Sequence, residues 1–375
     1  MSGDLLSGLW MRRQALGRTA PQFSPEGWAT LLGQARSARL TGRLALWFDA
    51  NGGLEVVPEG PRSYLHSAMA LARRQEQEVH WEVDQIRRAL VGVDTPVVLL
   101  KGAAYLLAGL PAARGRLFSD IDILVSPGRL QAVEHALFGA GWIPTERDPY
   151  NIRYYRQWMH ELPPLSHIAR GTAIDVHHTI TPPTSAFNVD GARLLAAIRP
   201  VDGARRLWVL QPVDMVLHSA VHLFQEGEFD RGLRDLLDMD DLLKHFAVHE
   251  PDFWPQLIAR AHELGLQVAL HHALSHVARL FGTRPPAAQH GAVLALRPAW
   301  LPRMLMARLL TTALRPMHPS CHRFGEGLAR WLLYLRSHWL RMPLHLLVPH
   351  LARKAWMRRF PEKKPEPVAP NPAGR

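Results

Sequence analysis

Asp120-Ile121-Asp122-Ile123-Leu124-Val125, downstream of Val97-Val98-Leu99-Leu100-Lys101-Gly102, is the stretch on which the fold turns. It alternates carboxylate and apolar residue, then becomes wholly apolar, as a strand does when its end leaves the core. Residues two apart in a strand point to the same side, so Asp120 and Asp122 project together while Ile121, Ile123 and Val125 face inward. Two adjacent carboxylates repel unless a positive charge lies between them, and hard oxygen ligands suit Mg²⁺ or Mn²⁺. A solvated strand end has the same local pattern, so the surroundings must decide.

Three neighbours favour a site. The run Pro96 to Leu100 reads as a strand that passes through Lys101-Gly102 into the helix-like Ala103 to Ala108. A glycine at such a turn lets backbone N–H groups approach a phosphate, and the helix N-terminus adds a favourable dipole. Arg116, four residues before Asp120, is near enough to reach that phosphate. Ala173-Ile174-Asp175-Val176-His177 supplies another apolar-flanked acid on a short strand, the candidate third carboxylate. Two metals clamping a triphosphate, with a further acid to align or deprotonate the acceptor, are what nucleotidyl transfer requires.

In this order the segments resemble the DNA polymerase β-type nucleotidyltransferases, and most closely the branch called the uncharacterised nucleotidyltransferase family. That branch carries Leu-Leu-Lys-Gly, Arg-x-x-x-Asp-Ile-Asp-Leu-Leu-Val and Asp-x-His. Here these stand as Leu99 to Gly102, Arg116 through Val125, and Asp175-Val176-His177. The resemblance covers roughly residues 65 to 245. It implies that Asp120 and Asp122 are metal ligands and Asp175 the third carboxylate. One departure is plain: the wider superfamily has Gly-Ser at the turn, whereas this chain has Lys101-Gly102-Ala103 and no serine hydroxyl there.

Composition sets outer limits. A chain of 375 residues, 47% of them hydrophobic, can bury a large core and fits about two domains. The lone Cys321 excludes a disulfide framework and suits a reducing cytosol. Met1-Ser2-Gly3-Asp4-Leu5-Leu6 lacks the basic flank and apolar run of a signal peptide, and no apolar stretch is long enough to span a membrane. A cytoplasmic protein is expected. The net charge of +11 is confined to the end of the chain, because Leu301 to Arg375 holds 14 Lys and Arg against Glu326, Glu362 and Glu366. The carboxylate region therefore has no special basicity, and nucleic acid is not an expected partner.

Along the chain, Trp28 to Ala35 and Leu40 to Phe48 have apolar residues at helical spacing. From 65 to 90, Leu65, Met69, Ala72, Val79, Val83, Ile86 and Leu90 make one helical stripe, interrupted at Glu76. Ser126 and Pro127 read as cap and first residue of a helix that ends near Gly139 and Gly141. Strands are predicted at Trp142 to Pro144, Arg153 to Leu162 and Thr172 to His177, with no β structure beyond. From Pro212 onward the pattern is helical. His218 and His222 lie four apart, as metal-sharing histidines do, but without the Glu of an H-E-x-x-H motif; a buried or substrate-facing role is the simpler account. Arg234 and Asp238 have the spacing of a helical salt bridge, and Arg234 is also a candidate phosphate contact. His177 shares the strand face of Asp175, whereas His178 points away.

Trp331, Tyr334, Trp339 and Trp356 interleave with Arg330, Arg336, Arg341, Arg353, Lys354, Arg358 and Arg359. Three accounts fit: bundle helices with a basic outer face, a surface for anionic lipid, or a nucleic-acid contact. Pro343 and Pro349 argue against one long membrane-surface helix.

The expected fold is α+β: a helical segment over 1–64, a nucleotidyltransferase-type core with a small mixed sheet over 65–190, a helical domain over 191–360, and a disordered tail over 361–375. The expected reaction is Mg²⁺- or Mn²⁺-dependent transfer of a nucleoside monophosphate from an NTP to a small-molecule or protein acceptor. Asp120, Asp122 and Asp175 are the catalytic and metal-binding candidates; Lys101, Gly102, Arg116, Ser119, His177 and Arg234 are the nucleotide-binding ones. The alternative is an inactive binding or regulatory module of the same fold, with a membrane-surface contact through the basic C-terminal region.

Overall fold

A computed structural model describes residues 4–16, 21–225, 227 and 229–359. The tail expected over 361–375 lies outside them. The chain opens with helices α1 (Leu5–Leu16), α2 (Pro25–Ser37), α3 (Thr41–Ala50) and the long α4 (Glu59–Ala89). Strand β1 (Val97–Leu99) runs into α5 (Lys101–Leu107), and β2 (Ile121–Leu124) follows. Next come α6 (Leu130–Gly139), β3 (Trp142–Pro144), α7 (Pro149–Trp158), β4 (Leu165–His167) and β5 (Ala173–His177). After α8 (Gly191–Leu195), strands β6 (Arg199–Pro200) and β7 (Leu207–Val209) precede α9 (Pro212–Gln225) and α10 (Gly232–His249). The chain continues as α11 (Phe253–Glu263), α12 (Gln267–Phe281), α13 (His290–Ala295), α14 (Trp300–Ala313), α15 (Glu326–Arg341) and α16 (Leu344–Arg359).

Among the described residues the strands form one mixed sheet in the order β3-β4-β5-β2-β1-β7-β6, so the expected α+β class holds. The acid-bearing strand β2 is central. It runs antiparallel to β1 and parallel to β5, with Asp122 directly opposite Asp175. The stripe predicted on α4 is buried as expected, but the helix starts earlier, at Glu59. Its buried Glu82 holds Arg170 at 2.7 Å, and the Arg170 guanidinium lies 4.8 Å from the centre of the Trp142 ring, so α4 is tied to the β4–β5 turn. Helix α9 is buried on every side save at His222, which makes it the central helix of the C-terminal half.

Four local expectations are corrected. The strand predicted over Arg153 to Leu162 is largely the helix α7. Its tyrosines and tryptophan favour strands, yet the Asn151 backbone N–H donates to Asp148, Pro149 occupies the first turn, and Tyr150, Tyr154 and Trp158 fall on one helical face. The β structure does not stop at His177, because β7 pairs in parallel with β1. Pro127 opens a 3₁₀ turn (Pro127–Arg129) rather than α6 itself, and the Ser126 hydroxyl caps nothing. Asp238 does not partner Arg234 on its own helix but pairs with Arg43 of α3 and with Arg116, while Arg234 pairs with Asp235 at 2.6 Å.

On α15 the buried residues are Glu326, Ala329, Leu333 and Ser337, whereas Leu328, Trp331, Leu335 and Trp339 are exposed at intervals of three and four. That apolar stripe faces outward, the reverse of an ordinary bundle helix.

Candidate active site

The site stands where β1 ends and the antiparallel β2 begins. Leu100 donates its backbone N–H to the Asp122 carbonyl at 2.9 Å, which fixes the turn out of β1 against the acid strand. Lys101 then adopts φ of 46°, a left-handed conformation rare for a residue with a Cβ. Its ammonium crosses to Asp122 Oδ1 at 2.9 Å. Gly102 is required sterically: a Cβ there would stand 2.9 Å from Arg116 Nε and 3.1 Å from Phe118. The glycine thus admits the Arg116 guanidinium beside the turn.

A cavity of about 300 Å³ opens here, lined by Lys101, Gly102, Arg116, Ser119, Asp120, Asp122, Asp175 and Arg234, among others. Eight of the nine candidate residues therefore share one cleft. The ninth, His177, is buried behind Asp122; its Nε2–H donates to Asp122 Oδ1 at 3.0 Å, and the same nitrogen is 3.5 Å from Glu161. His178 turns away to the Met159 carbonyl, as its place on the strand predicts. His218 is buried and uncharged, because burial drives its pKa well below the ordinary value, and no third ligand joins it and His222 among the described residues.

The cleft has a carboxylate wall and a guanidinium wall. Opposite the three aspartates stand Arg116, Arg231 and Arg234, with Arg39 close enough to feel the charges of the last two and of Asp120. Arg231 donates to the Ser119 hydroxyl at 3.1 Å, and that hydroxyl donates to Asp120 at 2.8 Å, a direct link between the walls. Arg116 lies over the Asp238 carboxylate that also receives Arg43 at 2.8 Å. Burial pushes the Arg116 guanidinium down to about 9, with the charge of Arg234 adding to the effect.

The two opposed aspartates differ electrostatically. Burial alone would raise Asp122, but the Lys101 charge and the His177 hydrogen bond hold it well below the usual carboxylate range. Asp175 has no such partner. Burial first, then the negative charges of Asp122 and Glu161, push it up to about 7. The His177 imidazole, which burial would lower, is raised overall by its bond to Asp122 and by Glu161.

Several lining residues escape sequence reading: Tyr155, Glu161, Arg231 and Asp235. Glu161 precedes Leu162-Pro163-Pro164, where a helix has to break, and Arg231 stands immediately before α10. Those breaks were the available signals.

Comparison with known proteins gives one match. A family model described as an uncharacterised nucleotidyltransferase covers residues 24–282, further in both directions than the stretch over which the resemblance was read. No curated protein and no solved structure matches the chain.

Proposed function

The chain belongs to the uncharacterised nucleotidyltransferase family, and from that premise we propose that it moves a nucleoside monophosphate from an NTP to an acceptor hydroxyl or phosphate, releasing pyrophosphate. The observation that carries this reading is the parallel register of Asp122 with Asp175, beside Asp120, in a cleft whose facing wall is arginine. The carboxylates fit a hard divalent cation. Burial, then the charges of Asp122 and Glu161, raise Asp175 to about 7, and the oxygens are of the type Mg²⁺ and Mn²⁺ select. Asp120, Asp122 and Asp175 would hold the metal, which when bound supplies charge neutralisation for the triphosphate.

The chain's own residues divide the remaining work. Gly102 lets backbone amides and Arg116 approach the phosphates, and Arg116, Arg231 and Arg234 offset the polyphosphate charge. Lys101 holds Asp122 ionised and is placed to exchange that partner for a phosphate oxygen. Asp175, set against Asp122 in the sheet, would accept the proton of the attacking hydroxyl. In this reading residues 65–190 contribute the acids and the glycine turn, while Arg231 and Arg234 come from the helical region 191–360. The cytoplasm supplies the Mg²⁺–NTP that such a reaction needs.

Among the described residues no helix is long and apolar enough to cross a membrane. The outward stripe Leu328, Trp331, Leu335 and Trp339 favours instead a peripheral contact with anionic lipid, aided by the basic end of the chain. Cosedimentation with phosphatidylserine vesicles, lost in Trp331→Ser/Trp339→Ser, tests that contact. The enzymatic reading is tested by calorimetric titration of each non-hydrolysable NTP with Mg²⁺ or Mn²⁺, followed by metabolite profiling of cells with and without the protein. Failure to bind any NTP with either metal would remove the enzymatic reading.

A further inference from the structure

Behind the aspartates lies a cluster that the transfer chemistry does not use. The segment His160-Glu161-Leu162 runs antiparallel beside β5. Leu162 N–H donates to the Val176 carbonyl and His178 N–H to the His160 carbonyl, both at 2.9 Å, and Glu161 bridges to His177. The backbone thus holds two imidazoles and a carboxylate in one place. His160 Nε2 stands 3.9 Å and His177 Nε2 3.5 Å from the same oxygen, Glu161 Oε2, and the two rings are 5.2 Å apart. Ligating atoms of all three residues fall within 4.8 Å of one another. His177 Nε2 is also 3.0 Å from Asp122.

We propose that His160, Glu161 and His177 form a second metal site, one that takes a transition-metal dication of the Zn²⁺ type. Zn–N and Zn–O bonds of about 2.0–2.2 Å place neighbouring ligand atoms roughly 3.3–3.5 Å apart in a tetrahedron, so the cluster needs only a small contraction to close on an ion. Two imidazole nitrogens select Zn²⁺ and its first-row neighbours over Mg²⁺, which keeps to oxygen and water. Both histidines are almost wholly buried, which excludes bulk water from two ligands. Glu161 reaches the surface of the cleft and of the neighbouring groove, which gives the ion a path in. An ion here would fasten the segment after α7 to β5; on His177 Nε2 it would take the place of the proton that Asp122 accepts and set its own charge beside that carboxylate. It lies beside the aspartate site, which it meets through the contact of His177 with Asp122 and through Glu161, which also lines the cleft.

The test needs no turnover. Metal-free full-length protein is titrated with Co²⁺, whose visible absorption reports tetrahedral nitrogen and oxygen ligation, and the bound Co²⁺ is then displaced with Zn²⁺. The wild type should take up one Co²⁺ with an intense visible band, and Asp120→Asn should keep it. His160→Ala should weaken that uptake by more than the roughly 10–100-fold that loss of a supporting partner alone costs. Zn²⁺ should raise the melting temperature of the wild type and of Asp120→Asn but not of His160→Ala. Should His160→Ala fail to fold, Glu161→Gln gives the same reading, since it removes the shared oxygen charge while keeping the shape. A wild type without the band, or folded His160→Ala and Glu161→Gln proteins that bind Co²⁺ as tightly as the wild type, would overturn the assignment.

Discussion

Asp238→Asn is the substitution on which the helical half and the acid strand should come apart. Its carboxylate is 2% exposed and faces two guanidiniums, Arg43 and Arg116, which are 6% and 8% exposed. The amide keeps the shape and withdraws the one charge they share. Removing one partner of a buried ion pair costs about 3–5 kcal/mol, because the other charge is left desolvated without compensation. Arg43 keeps Asp241 at 2.6 Å, so its share of the loss is reduced. Arg116, driven down to about 9 by burial, keeps only the more distant charge of Asp235, which also serves Arg234. We therefore expect about 3 kcal/mol, the lower end of that range. Asp241, 23% exposed, supplies the internal control: Asp241→Asn should cost no more than about 1 kcal/mol, as for pairs near the surface. Urea unfolding followed by far-ultraviolet circular dichroism measures both. An Asp238→Asn midpoint within about 1 kcal/mol of wild type, or an Asp241→Asn loss that exceeds it, would refute the claim that Asp238 is the joint.

Other outcomes are expected at the acids and the turn. Asp120→Asn and Asp122→Asn should each lower turnover by orders of magnitude with the fold kept, read by pyrophosphate release and circular dichroism; normal turnover in the double variant would end the metal assignment. Lys101→Ala should raise the apparent KM for NTP by roughly tenfold, about 1.4 kcal/mol, and move the melting temperature little. A large loss of stability at unchanged NTP affinity would make Lys101 a structural counter-ion to Asp122. Asp175 gives a pH signature of known sign. Its folded pKa, about 7, lies above the ordinary 3.8, so between those values the folded chain keeps a proton that the unfolded chain has released. Its contribution to stability is thus fully present below about 3.8, declines as pH rises and is gone above about 7. Urea midpoints should decline less with rising pH in Asp175→Asn than in wild type. Mn²⁺ affinity should fall about tenfold per pH unit below 7, because the metal must displace that proton; affinity flat from pH 5 to 8 would contradict it.

The acid pair and its register partner were legible because strand periodicity is local. Alternation in Asp120 to Ile123 and in Ala173 to His177 says which residues share a face, and the sheet then sets Asp122 against Asp175. The guanidinium wall was not legible in the same way. Arg231 reaches the cleft only because the start of α10 folds back over it, and Arg43 of α3 meets Arg116 only at Asp238; no period within either helix announces those contacts. Arg116 was singled out for phosphate reach, and it does line the cleft. Its pairing with Asp238 depends on a helix far along the chain. The misreading at α7 has a different cause. Tyr150, Ile152, Tyr154, Tyr155 and Trp158 carry strand propensity, and the cap at Asp148 with Pro149 outweighs it. Strand β7 was missed because Leu207-Trp208-Val209 is too brief for a pattern, and its pairing partner lies in β1.

The seat of β7 beside β1 imposes an order on synthesis. Val97–Leu99 emerges from the ribosome with one edge unpaired until Leu207–Val209 arrives, and Arg116 waits longer still for Asp238. At 5–20 residues per second the interval between Leu99 and Val209 is roughly 6 to 22 s. For that time the nascent chain carries an apolar strand edge of the kind that recruits other strands. The cleft is therefore completed late, by the helices that follow the sheet, and a chain halted near residue 190 would have its acids and Arg116 but neither Arg231 nor Arg234.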